Sequence, residues 1–188
     1  MEYQTIYFET CGPENTDAAL AIVKEWADRL DIADILVATT SGATAVKAAE
    51  LLKHHGVLAV THVAGFRAEN EQELLPEHRT RLESLGARIL TCQHAFGGVN
   101  RAIRFKLNTY EVDEIIAYAL RTFGQGTKVA VEIALMAADA GLIRTDRDVI
   151  AIGGTDSGAD TALILKPANS FRFFDVRIRS VLCKPWDF

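Results

Sequence analysis

At 188 residues the chain has the length of one ordinary domain, and a chain of this size buries about 70% of its unfolded surface, enough for a full core of its own. Its 49% hydrophobic and 24% charged residues are the proportions of a globular enzyme or binding protein and exclude a disordered or fibrous chain. A net charge of -5, scattered basic residues, and no signal-like leader or long apolar run argue against nucleic acid and membrane as partners and for the cytoplasm.

Thr5 to Phe8 reads as a first strand, followed by the breakers Gly12 and Pro13 and a helix capped by Asn15 or Thr16 that ends near Asp31. Leu20, Ile22, Val23, Trp26, Ala27 and Leu30 fall at helical spacing there. Asp34 to Thr40 is a compact apolar run, as expected of a parallel strand covered on both faces. A helix over Thr44 to His55, stopped by Gly56, a strand over Val57 to His62, a helix over Glu71 to Leu85 and a strand over Ala87 to Cys92 continue the alternation. Three successive helices follow, over Gly98 to Lys106, Glu111 to Phe123 and Thr127 to Ala140. Val149 to Ile152 and Asp160 to Lys166 are close enough to form an antiparallel hairpin, and Val176 to Leu182 reads as a final edge strand before the docked aromatics Trp186 and Phe188. The pattern is that of a three-layer α/β/α sandwich, with a mostly parallel, doubly wound sheet and an antiparallel C-terminal hairpin. No linker divides it, so residues 1–188 form one domain, with self-association left open. Cys11, Cys92 and Cys183 lie far apart and read as reduced thiols.

In an open parallel sheet, ligands bind beyond the carboxyl ends of the strands, where helix N-termini also point. That rule selects Glu9 to Thr16, Thr39 to Thr44, Thr61 to Phe66, Thr91 to Gly98 and Gly153 to Asp160. The most informative is Thr39-Thr40-Ser41-Gly42-Ala43-Thr44, which leaves a buried strand and opens a helix. A phosphate there meets free backbone N–H groups, the positive end of the helix dipole and up to four hydroxyls, with Gly42 allowing close approach. The segment has neither Walker A nor dinucleotide-fingerprint spacing and no Lys or Arg, so the expected site is neutral and hydroxyl-rich. The plainer alternative is a helix capped by Ser41.

The loop with Gly153, Gly154, Thr155 and Gly158 holds more glycine than a hairpin turn needs, which favours binding; Asp156 and Asp160 are expected to cap it or to bond sugar or ring groups. His62 and His94 end strands, as general acid/base groups, ligand contacts or loop anchors do. Phe66 and Phe96, the latter beside Gly97, are candidates for packing on a flat ring or for the core. Cys11 precedes a helix N-terminus, but no base partner can be named for it.

The stretch Asp34 to His62, with its strand, T-x-S-G-x-[ST]-A turn, helix and strand, resembles the C-terminal α/β domain of pyruvate kinases. The hairpin Val149 to Lys166 occupies the place of that domain's last hairpin. Segments of the types GPENT, VEIALMAADAGL and IGGTxxGAD, at Gly12 to Thr16, Val131 to Leu142 and Ile152 to Asp160, resemble a family of small free-standing proteins with this domain, common in archaea. The resemblance implies a pyruvate-kinase-C-terminal-like fold and a site for flavin mononucleotide. No kinase barrel is present, and Thr39 to Ala45 lacks the basic residues with which pyruvate kinases grip the second phosphate of a sugar bisphosphate, so one phosphate suits the loop better than two. Three functional readings follow. They are a flavin mononucleotide protein acting as an oxidoreductase, a non-catalytic sensor of a phosphorylated metabolite, and a small hydrolase or isomerase using His62 or His94.

Overall fold

The computed structural model describes residues 4–188. Its strands are β1 (Ile6–Phe8), β2 (Asp34–Ala38), β3 (Gly56–Val60), β4 (Arg88–Leu90), β5 (Val149–Gly153), β6 (Thr161–Lys166) and β7 (Arg177–Pro185). Its α-helices are α1 (Thr16–Leu30), α2 (Ala43–Leu51), α3 (Pro76–Ser84), α4 (Val99–Leu107), α5 (Val112–Arg121) and α6 (Gln125–Asp139). The strands form one sheet in the order β1-β7-β6-β5-β2-β3-β4. The pairs β2/β3, β3/β4, β2/β5 and β1/β7 are parallel, whereas β6 runs antiparallel to both β5 and β7.

Both faces of the central strands are apolar because both are covered. Ile35, Val37, Val57, Ala59, Ile150 and Ile152 face a core shared with α1, α2 and α3. The alternate residues Leu36, Leu58, Val60, Val149 and Ala151 face a second core built on α5 and α6. The three-layer sandwich is thus the one that the alternation of elements implies. Packing between α6 and the sheet is unusually close. A Cβ built on Gly153 would come within 2.4 Å of the Gly126 carbonyl oxygen, and one on Gly126 within 2.2 Å of Thr161 Oγ1. These two glycines bring the start of α6 down onto the ends of β5 and β6.

Three expectations are corrected, and a fourth, the docking of the terminal aromatics, is met by contacts at the surface. The third helix begins at Pro76 rather than Glu71, because proline is at home in the first turn, where its missing N–H is not needed. Gly56 opens β3 instead of ending α2, which stops at Leu51. β7 is interior rather than an edge: β1 adds to its outer side in parallel register, Ile6 opposite Cys183. Trp186 and Phe188 are more than half exposed and touch the body through ring contacts with Tyr7 and Lys184. Among the described residues no helix is long and apolar enough to cross a membrane.

Candidate functional site

A cleft of about 760 Å³ opens where the carboxyl ends of β2, β3 and β5 meet the start of α6. Four of the five strand-end segments contribute to its wall: Thr39, Thr40, Ser41, Ala43 and Thr44 from the first, Thr61, His62 and Phe66 from the second, His94 from the third, and Gly154 and Gly158 from the fourth. The remaining segment, 9–16, stays outside and braces the glycine loop, with Thr16 Oγ1 accepting the Ala159 N–H at 3.0 Å.

Within the TTSGAT turn, Thr39 Oγ1 accepts the Gly42 N–H at 3.1 Å, so one donor expected to face a ligand is used inside the turn. Gly42 adopts a φ of 102°, and a Cβ on it would lie 2.6 Å from both His78 Cβ and Leu74 Cδ1. Its close approach is therefore to α3 and the residues before it, and it does not line the cleft. The Ser41 carbonyl is held from the same side by the Leu75 N–H at 3.0 Å and by His78 Nδ1 at 2.8 Å. On the cleft side α2 has no side-chain cap at its N-cap residue, and Ser41 Oγ stands 3.5 Å from the Ala43 N–H, at the limit of a hydrogen bond. The remaining first-turn donors have no intrahelical partner in any α-helix. Thr40, Ser41 and Thr44 border this open end.

His62 and His94 meet, with ring centroids 5.4 Å apart. His62 Nδ1 lies 2.8 Å from Glu73 Oε2, and its ring packs 4.1 Å from that of Phe66. Phe66 is also stacked with His94 at 5.1 Å and has the Arg101 guanidinium 5.0 Å from its ring, so much of its surface is already engaged. His94 is buried, and its Nε2 accepts the Val63 N–H at 3.2 Å, which places its proton on Nδ1. Burial lowers its pKa from 6.5 to about 4, against the opposing pull of the Glu132 charge. The folded pKa is the depressed one, so the unfolded chain takes up this proton first as pH falls. Stability present above pH 6.5 is then lost progressively toward pH 4, by roughly 2–3 kcal/mol from this group. Urea denaturation across that range should show the loss, and His94→Gln should flatten it; an equally steep fall in the variant would assign it elsewhere.

The cleft is not neutral. α4 to α6 bring in Arg101, Arg121 and Lys128, and the loop after β3 adds Arg67. Of the cleft's carboxylates, Glu132 is engaged by Lys128 and by the Phe96 N–H at 2.9 Å and Glu73 by His62, while Asp156 of the glycine loop lines the cleft with no cation partner among the described residues. Among the described residues Arg67, Arg101 and Arg121 have no carboxylate partner, and Arg101 Nε is buried without any hydrogen bond. Strand-end segments alone leave these cations out: Arg67 directly follows one segment, Arg101 lies three residues past another, and Arg121 and Lys128 stand farther on in α5 and α6. No local spacing marks them.

Several candidates lie elsewhere. Phe96 is buried in the core, edge-on to Phe173 at 5.9 Å, because its own N–H is tied down to Glu132. Gly97, Gly153 and Thr155 do not line the cleft either. Asp160 is fully buried and caps the glycine loop, accepting the Thr155 N–H at 3.0 Å, the Gly12 N–H at 3.4 Å and the Thr161 hydroxyl at 2.7 Å.

The family model described as pyruvate kinase, alpha/beta domain matches residues 17–165. Among solved structures the chain is similar to Cryptosporidium parvum pyruvate kinase in complex with ADP, at 16% sequence identity and a TM-score of 0.44, over 81% of this chain and 24% of that one. The chain thus spans about a quarter of that kinase's length.

Proposed function

The chain belongs to the pyruvate kinase alpha/beta domain family, and from that premise and the cleft we propose that it binds small phosphorylated molecules by their phosphate, flavin mononucleotide among them. The observation that carries this reading is the first turn of α2, whose N-cap Gly42 has no side chain and which opens with three neighbouring hydroxyls into a cleft where Arg67, Arg101 and Arg121 lack carboxylate partners among the described residues. Helix N-termini favour anions through their free N–H groups and dipole, and the arginines extend the positive field beyond the turn. Flavin mononucleotide fits the donor set: its phosphate suits the α2 turn, and its ring carbonyls suit the N–H groups of Arg101 and Arg121. When bound, such a group would supply hydride and electron transfer.

Flavin mononucleotide is expected to bind at least about a hundredfold more tightly than riboflavin, because charge-assisted hydrogen bonds contribute roughly 1.5–3 kcal/mol each and riboflavin forfeits two or more. Isothermal titration of both ligands checks this. Equal dissociation constants would remove the phosphate from the recognition, and with it the reading of the α2 turn.

A further inference from the structure

The residues that hold His62 have no evident purpose in a site that merely grips a phosphate. His62 follows the carboxyl end of β3, and its carbonyl is bonded by Gln72 Nε2 and by Thr61 Oγ1, each at 2.9 Å. Gln72 Oε1 in turn accepts the Leu74 N–H at 2.8 Å, so residues 72–74 fold back as a clamp, and Glu73 between them reaches the imidazole. A carboxylate only accepts hydrogen bonds, which puts the His62 proton on Nδ1 and leaves the Nε2 lone pair as a base. His94, in the same wall, has the opposite assignment of roles: its Nε2 is occupied by the Val63 N–H, and its Nδ1–H is a neutral donor.

This pairing of base and donor selects a reaction class. Among the described residues the His62 imidazole has no hydrogen bond to a hydroxyl or thiol, so it does not activate a protein nucleophile, and the proton it takes comes from the bound molecule. A base beside a neutral imidazole donor is suited to removing a proton next to a carbonyl, because the donor holds the oxygen as negative charge gathers on it. Arg101, without a carboxylate partner, adds positive charge to the same side.

Resting on the phosphate reading of the α2 turn but not on a flavin, we propose that the cleft enolises phosphorylated hydroxy-aldehydes and hydroxy-ketones, with His62 as proton acceptor and His94 as the donor to the carbonyl oxygen. The C–H bond next to the carbonyl breaks and its proton bonds to His62 Nε2. The electron pair left behind forms a carbon–carbon double bond as the carbonyl π pair moves onto oxygen. Return of the proton to the same carbon regenerates the substrate. Return to the neighbouring carbon, with the hydroxyl proton passing between the two oxygens, exchanges the carbonyl and hydroxyl positions. No electrons are gained or lost, so no oxidant is needed. Glu73 acts through His62 and is a positioning residue.

Uptake of solvent deuterium at the carbon next to the carbonyl, followed by proton NMR in heavy water, tests this without knowledge of the product. The probes are dihydroxyacetone phosphate, glyceraldehyde 3-phosphate, fructose 6-phosphate and ribose 5-phosphate. At least one should exchange faster with the protein than in buffer, and His62→Gln should slow it by about a hundredfold or more while flavin mononucleotide still binds within about threefold of wild type. Glu73→Gln should lower kcat with KM nearly unchanged, a split that a merely structural contact would not produce. Flavin mononucleotide should inhibit competitively. No exchange in any probe, with flavin mononucleotide bound normally, overturns the proposal and leaves a non-catalytic sensor; full exchange in His62→Gln also overturns it. Unphosphorylated dihydroxyacetone exchanging as fast as its phosphate would instead bring down the phosphate reading and the substrate class with it.

Discussion

Ala43→Asp is expected to weaken binding of both flavin mononucleotide and inorganic phosphate by at least about tenfold, while the ligand-free protein keeps its melting temperature. Ala43 is the first residue of α2, exposed and in the cleft wall, so the new carboxylate finds room without repacking anything. For the fold alone the change is favourable, since a negative charge in the first turn of a helix stabilises it by about 0.3–1 kcal/mol when exposed. For a phosphate on the same N–H groups it is not. At about 4 Å, two unit charges repel by about 1 kcal/mol in bulk water and by about 4 at an effective dielectric of 20, and a phosphate carries up to two charges. The two measurements therefore separate a binding turn from a turn that only starts a helix. Unchanged affinity for both ligands would place the anion elsewhere in the cleft, with the guanidinium groups of Arg101 and Arg121 as the alternative seat.

Much of the fold is legible in the residues themselves, and the part of the site that is not depends on contacts made across long sequence distances. The strand at Asp34 shows as an apolar run because both of its faces are covered, and the α2 turn shows because it leaves that strand directly. β7 gives no such sign of its place. Whether a strand is interior depends on what pairs with its outer side, and here that partner is β1, at the other end of the chain. Glu73 is obscured for a related reason. Helical spacing extends naturally over Glu71 to Leu85, yet Gln72, Glu73 and Leu74 turn back to the end of β3 before Pro76 starts the helix, because their polar groups satisfy His62 and its neighbours. The arginines of α4 and α5 show in the sequence only as part of a scattered basic charge until the helices fold over the strand ends. Glycine misleads in the other direction: Gly42 and Gly153 suggest room for a ligand, and the structure spends both on backbone packing, against α3 and against α6.

Lys128→Met should destabilise the protein by about 3–5 kcal/mol, and the double variant Lys128→Met/Glu132→Gln should be more stable than that single one by about 1.5 kcal/mol or more. Lys128 and Glu132 stand one turn apart on α6 and form an ion pair, at 7% and 5% relative exposure. Burial lowers the Lys128 pKa, and the adjacent Glu132 carboxylate opposes that shift, so each charge is tolerated because of the other. Methionine fills much of the lysine's volume, which confines the loss to electrostatics. Glu132 is left buried with one hydrogen bond to the Phe96 N–H and no cation. Glutamine at 132 removes the stranded charge and keeps an oxygen for that N–H. Denaturant midpoints for wild type, both single variants and the double variant complete the cycle. A double variant no better than Lys128→Met would show that the loss comes from packing rather than an uncompensated charge. Lys128→Met should also raise the pH at which His94 titrates, because it removes a positive charge that disfavours the imidazolium and leaves the opposing Glu132 charge without its cation.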